Sequence, residues 1–186
     1  MNQDSYSNQL LVLPSQRDHY QGTLNAPVVL VEYGNYECSQ CRELYRLIQV
    51  IQQHFTSVFP EENRICVVFR HFIENTLHPH AQKVAEAVEA AAAQGQFWQM
   101  HDLLFTHQHA LGNGFLVEYA DSLGLDISQF LKDISTQAHI GRINQNIESG
   151  YQSGVTATPA LFINGIRYSD RWTVEQIMAA IVAVIH

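Results

Sequence analysis

The sequence predicts an α/β fold in which a β-α-β half and a β-β-α half are separated by an all-helical insertion. Three observations predict it. Two apolar runs rich in β-branched residues, 28–34 and 64–72, bracket a stretch of helical periodicity. A helical, partly alanine-rich block follows, from about His78 to Ser153. The chain then closes with two short strand-like runs and one last amphipathic segment.

Taken in order, "VVLVEYG" (28–34) is a short apolar run ended by Gly34 and interrupted by a single acid, Glu32, and it reads as a buried central strand. Apolar residues at Cys41, Leu44, Tyr45, Leu47, Ile48, Ile51 and Phe55 then fall on one helical face, so a helix is expected from near Cys38 to about His54. "RICVVFRHF" (64–72) is a second strand, apolar enough to be covered on both faces. Strand, helix and strand over this length imply a right-handed crossover and parallel pairing. "HAQKVAEAVEAAAAQ", "QFWQMHDLLFTHQ" and "LVEYADSLG" each read as helices, and residues 127–152 hold one or two more. "ALFING" and "IRYSD" flank Asn164-Gly165, a strong two-residue hairpin signal. Thr173 with Gln176 forms a capping box for a final helix to about Ile185. The division expected is an N-terminal extension over 1–18, one domain assembled from 19–77 and 154–186, and an inserted helical subdomain over 78–153.

Composition narrows the function. Ten basic side chains face 18 acidic ones for a net charge of −8, and lysine occurs only at Lys83 and Lys132. No basic run exists, which argues against nucleic acid or an anionic membrane as a partner. The N-terminal twenty residues carry no basic side chain before Arg17, and their apolar run, Leu10 to Leu13, is four residues long. That is too short for a secretory core or a membrane span, so no membrane insertion is expected and the expected location is cytoplasmic.

Only three cysteines are present, and two of them, Cys38 and Cys41, stand three apart in "YGNYECSQCREL". A chain of 186 residues can fold without a staple, and a bridge over so short a loop removes little unfolded-chain entropy. A zinc site usually needs four ligands, and no second C-x-x-C or C-x-x-H is present. A reversible disulfide is the remaining use for the pair. The histidines His78, His80, His101, His107 and His109 lack the i,i+4 spacing of a helical metal pair and are expected to be structural. No metal and no cofactor is expected.

The layout, with C-x-x-C opening the first helix, resembles a thioredoxin fold carrying the helical insertion of the DsbA-like thiol–disulfide oxidoreductases. "DHYQGTLNAPVVLVEYGNYECSQC" is similar to the segment leading into that family's active site. "FRHFIENTLHPHAQKVAEAVEAAAAQGQFWQMHDLLF" resembles its second strand and first inserted helices, and "GVTATPALFING" its cis-proline loop. The resemblance implies a protein disulfide oxidoreductase that exchanges a Cys38–Cys41 dithiol or disulfide with cysteine-containing protein substrates and relies on a separate redox partner. Strongly oxidising members carry a histidine between the cysteines, whereas this chain has Ser39-Gln40. A less oxidising pair is therefore expected.

Residue roles follow. A helix N-terminus presents free N–H groups and the positive end of the macrodipole, so Cys38 is the expected nucleophile. Cys41, one turn deeper, is the expected resolving thiol. An acid inside a buried strand is costly unless paired or protonated, so Glu32 is expected to have a raised pKa. The family resemblance places such an acid behind the buried cysteine, where it moves protons. It also implies a cis Thr158–Pro159 bond, with Ala157, Thr158 and Pro159 binding an extended substrate as an added strand. Cys66, alternating with Ile65 and Val67, is expected to be a buried structural thiol. Phe97, Trp98, Phe105 and Phe115 are expected mainly in packing, with some lining an apolar groove near the cysteines. The rival readings are a thioredoxin-fold binding or chaperone-like module without redox turnover, and a metal-binding protein.

Overall fold

The computed structural model describes residues 8–73 and 80–185. The β-α-β half consists of β2 (Val28–Gly34), α1 (Ser39–Val58) and β3 (Ile65–His71), preceded by a short β1 (His19–Gln21). Five helices follow: α2 (Ala81–Ala92), α3 (Phe97–Thr106), α4 (Asn113–Ser122), α5 (Ile127–Thr136) and α6 (Ile140–Gln152). The chain closes with β4 (Ala160–Ile163), β5 (Ile166–Arg167) and α7 (Val174–Val184). The strands form one sheet in the order β1-β3-β2-β4-β5.

The central strand is the apolar run that the sequence singled out. β2 pairs parallel with β3, from Val28 opposite Ile65 to Gly34 opposite His71, and antiparallel with β4. Parallel pairing of β2 with β3 is what a helical crossover imposes. β2 ends at Gly34, where a Cβ atom would strike the Phe69 ring at 2.6 Å and Glu32 Oε1 at 2.9 Å. Asn164 and Gly165, both at positive φ (47° and 82°), make the two-residue turn between β4 and β5. The Thr173 side chain accepts from the Gln176 amide and caps α7 as expected.

The sequence reading left 19–21 without an element. These three residues pair antiparallel with Phe69, Val68 and Val67 and cover the outer edge of β3. Three residues show no period, so the pairing carried no local signal. The segment before β1 is also tied to the sheet, because the Leu10 amide donates to Gly165 O at 2.8 Å and Asp18 pairs with the buried Arg70 at 2.7 Å. The boundary between 77 and 78, together with His78, lies outside the described residues.

α1 and α7 pack on one face of the sheet around Leu30, Leu44, Ile51, Leu161, Ile177 and Ile181. The insertion forms its own apolar cluster, and that cluster is continuous with Tyr36, Cys38, Cys41 and Phe69. The cysteine pair therefore lies where the insertion meets the end of the sheet.

Candidate active site

Cys38 is the N-cap of α1, with the extended backbone (φ −79°, ψ 117°) usual at that position. Its sulfur does what a serine or aspartate oxygen does in other helices and accepts from the Cys41 amide at 3.3 Å. It also lies 3.5 Å from the Thr158 carbonyl oxygen. The Cys38 thiol is held well below its usual range, at about 5, with the hydrogen bond from the Cys41 thiol as the largest cause. Burial works against this, while the Thr158 side chain and the backbone amides of Cys41 and Gln40 work with it.

Cys41 is the opposite case. It is fully buried, while Cys38 retains 7% exposure and adjoins the exposed Ser39 and Gln40. Burial, its bond to Cys38 and the neighbouring Glu32 push the Cys41 thiol well above its usual range. One thiol can meet a substrate as an anion, and the other is kept protonated out of reach.

Glu32 lies in the middle of β2, opposite Phe69 on one side and Leu161 on the other. It is 3% exposed, and its Oε1 has no hydrogen-bond partner. Burial, and then the charge of Cys38, raise its pKa to about 8. The carboxyl borders a cavity of about 10 Å³ shared with Tyr45, Ile48, Gln52 and His101. That is room for about one water molecule.

The Thr158–Pro159 bond is cis. Thr158 and Pro159 are half-buried beside Cys38, whereas Ala157 is exposed. The structure thus brings together Cys38, Cys41, Glu32 and the Thr158–Pro159 loop, which are spread over more than 120 positions of sequence.

Sequence reasoning expected His101 to be structural, but it did not identify what His101 and Gln108 hold from the insertion. The Tyr36 hydroxyl pairs with His101 Nδ1 at 2.9 Å, and burial pushes the His101 imidazole down to about 3. Gln108 Nε2 donates to both Tyr36 O and Cys38 O at 2.8 Å. Also missed is a second buried acid, Glu89 on α2. It lies 3.0 Å from His19 Nε2, 2.9 Å from His71 Nε2 and 3.4 Å from Arg142 Nε. Glu89 could have been suspected, because an acid inside "AVEAAAA" raises the same question as one inside "VVLVEYG". Among the singled-out aromatics, Phe97 and Phe105 are buried and Trp98 half-buried, while Phe115 is 46% exposed. Cys66 is buried in β3, where burial pushes its thiol up to about 11.

The sequence matches the family model described as Thioredoxin over residues 15–183. The chain belongs to the thioredoxin family. Within that family's fold it is similar to BdbD from Bacillus subtilis in its oxidised form, with a TM-score of 0.80 over 96% of this chain and 98% of that one, at 18% identity. It is also similar to alpha-DsbA1 from Wolbachia pipientis, with a TM-score of 0.79 over 94% of both chains, at 18% identity. These likenesses show a thioredoxin fold. In sequence it is 38% identical over 167 residues to a protein named Na(+)/H(+) antiporter NhaA 3 from Salinispora tropica. The match covers 90% of this thioredoxin-family chain and 24% of that protein. A protein named Na(+)/H(+) antiporter NhaA from Herminiimonas arsenicoxydans is 36% identical, over 89% of this chain and 25% of its own length. The chain spans about a quarter of the length of the curated relatives it matches. Among the described residues, no helix is long and apolar enough to cross a membrane.

Proposed function

We propose that this chain is a protein thiol–disulfide oxidoreductase working through Cys38 and Cys41. The observation that carries the proposal is the asymmetry of the pair, an acidic thiol at a helix N-terminus beside a buried thiol that resists ionisation. The relatives' names refer to ion transport, but this chain corresponds to only a quarter of each of those proteins, and its own chemistry lies in its thiols.

In the reducing direction, the Cys38 thiolate attacks one sulfur of a substrate disulfide, and the other sulfur leaves as a thiolate. An extended substrate lies along Ala157–Pro159 while the mixed disulfide forms. Forming that bond removes the negative charge from Cys38. The Cys38 charge is one of the two causes that raise the Glu32 pKa, so Glu32 ionises more easily at that moment. It then takes the Cys41 proton as a general base. Cys41 attacks the Cys38 sulfur, the substrate leaves as a thiolate, and a Cys38–Cys41 disulfide remains. The same steps in reverse oxidise a dithiol, and the partner and the potential set the direction.

Cysteine-containing protein substrates, a separate redox partner and a cytoplasmic setting belong to this proposal. A Cys38 thiol near 5 lies between about 7 for a thioredoxin and about 3.5 for a strong exported oxidase. That supports a pair less oxidising than the strongest oxidases. The test is turnover of a disulfide substrate by single-cysteine variants. Cys38→Ser is expected to abolish exchange and Cys41→Ser to trap mixed disulfides. Retained turnover in Cys38→Ser would overturn the reading in favour of a binding module. The reduction potential, measured against glutathione buffers, fixes the direction on a scale from about −120 mV to about −270 mV, and the low end supports a cytoplasmic reductase.

A further inference from the structure

The segment 36–38, which delivers Cys38 to the helix end, is gripped from the insertion at three points. The Tyr36 ring is buried against Phe105, with its hydroxyl on His101 of α3. Glu37 Oε2 accepts from the His80 amide at the start of α2, at 3.0 Å. Gln108, just beyond α3, spends both hydrogens of its amide on the Tyr36 and Cys38 carbonyls, at 2.8 Å each. Of these three, the Gln108 contacts are the ones that reach the backbone on both sides of residue 37.

The Cys38 carbonyl is also the first acceptor of α1, taking the Arg42 amide at 3.2 Å. Its orientation therefore fixes how the first turn of the helix meets the Cys38 side chain. With that carbonyl pinned by a second donor, the Cys38 sulfur stays over the Cys41 amide. Without it, the N-cap residue is free to turn its side chain away, as unsupported helix ends fray.

We propose that Gln108 is a positioning residue for the exchange reaction: its side-chain amide clamps the backbone of residues 36–38 and keeps the Cys38 sulfur aimed at the N-terminus of α1. The inference deepens the proposed function and rests on it for the word exchange, while the clamp itself is measurable without any substrate. On this view the insertion sets the reactivity of the pair as well as flanking it.

The experiment follows the rate of Cys38 alkylation by iodoacetamide against pH in reduced protein, beside insulin-disulfide turnover and a thermal melt. Gln108→Met keeps length and volume and removes both donors. Gln108→Asn keeps the amide but shortens its reach, and carries the test if the methionine variant does not fold. The profile is expected to move up by about one pH unit, which lowers the rate at pH 5 about five-fold and leaves it unchanged at pH 8. A purely structural role would lower the melting temperature without moving that midpoint. A folded variant whose profile superposes on wild type overturns the inference, whatever its turnover. A wild-type protein that titrates near 5 and yet exchanges nothing overturns the proposed function, while a shifted variant profile still establishes the clamp.

Discussion

Glu32 and Glu89 are both carboxylates of the interior, 3% and 2% exposed, yet they are held in opposite charge states. Glu32 ionises only near 8, whereas Glu89 is held down to about 2. Burial opposes the charge at both. The difference is partners: Glu89 is met by His19, His71 and Arg142, while Glu32 Oε1 meets none. A satisfied acid between β1, β3, α2 and α6 holds the insertion to the edge of the sheet. An unsatisfied acid behind the cysteines remains able to exchange a proton. The comparison separates a carboxylate satisfied by its partners from one left without them, as the proposed proton transfer requires, and burial alone would not have told them apart.

The sharpest way to break this distinction is Glu89→Gln. Removing one partner of a buried charge cluster leaves the others uncompensated, and a loss of about 3–5 kcal/mol is expected in urea unfolding at pH 7. The folded pKa lies below the ordinary 4.5, so the stabilisation is complete above about 4.5 and is lost as pH falls towards 2. The gap between wild type and variant should therefore narrow below pH 4.5. An undiminished gap at pH 3 would show that the cluster acts by packing and not by charge.

Glu32→Gln should act in the opposite sense. A folded pKa raised from 4.5 to about 8 destabilises the fold progressively between those values, because the unfolded chain gives up its proton first. The variant, whose buried amide still carries some desolvation cost, should gain about 2 kcal/mol at pH 8 and nothing at pH 4. A variant less stable than wild type at pH 8 would mean that Glu32 is paired after all.

The two acids were not equally legible in the sequence. Glu32 stood out because a strand of β-branched residues leaves no exposed face for an acid. Glu89 did not, because an acid on a helix is taken by default to face solvent, and His19, which pairs with it, lies 70 positions away. The cysteine pair, the Asn164-Gly165 turn, the Thr173 cap and the apolar strands carry their signals within a few residues, and all are found where they were expected. The cis Thr158–Pro159 bond was reached through resemblance, since nothing local in "ATP" distinguishes cis from trans. β1 and Gln108 could not be read at all. One is a three-residue strand defined by its partner, and the other is an amide whose targets lie 70 and 72 positions back.

The smallest effect is kinetic and tests what the unpaired acid is for. In Glu32→Gln, attack by Cys38 should be untouched, because the charge on that thiol is stabilised mainly by Cys41 and by backbone amides. Decay of the mixed disulfide, followed by rapid mixing and acid quench, should slow about tenfold. General bases usually contribute more, about 10²–10⁴, but the Cys41 thiol can also ionise without a base as pH rises. The pH profile carries the stronger information. In wild type the resolving step should rise with a midpoint at or below about 8, as Glu32 ionises once the Cys38 charge has gone. In the variant it should climb only with the Cys41 thiol itself, well above the ordinary thiol range. Equal rates and equal midpoints would place the proton of Cys41 elsewhere and make Glu32 a buried acid without a chemical task.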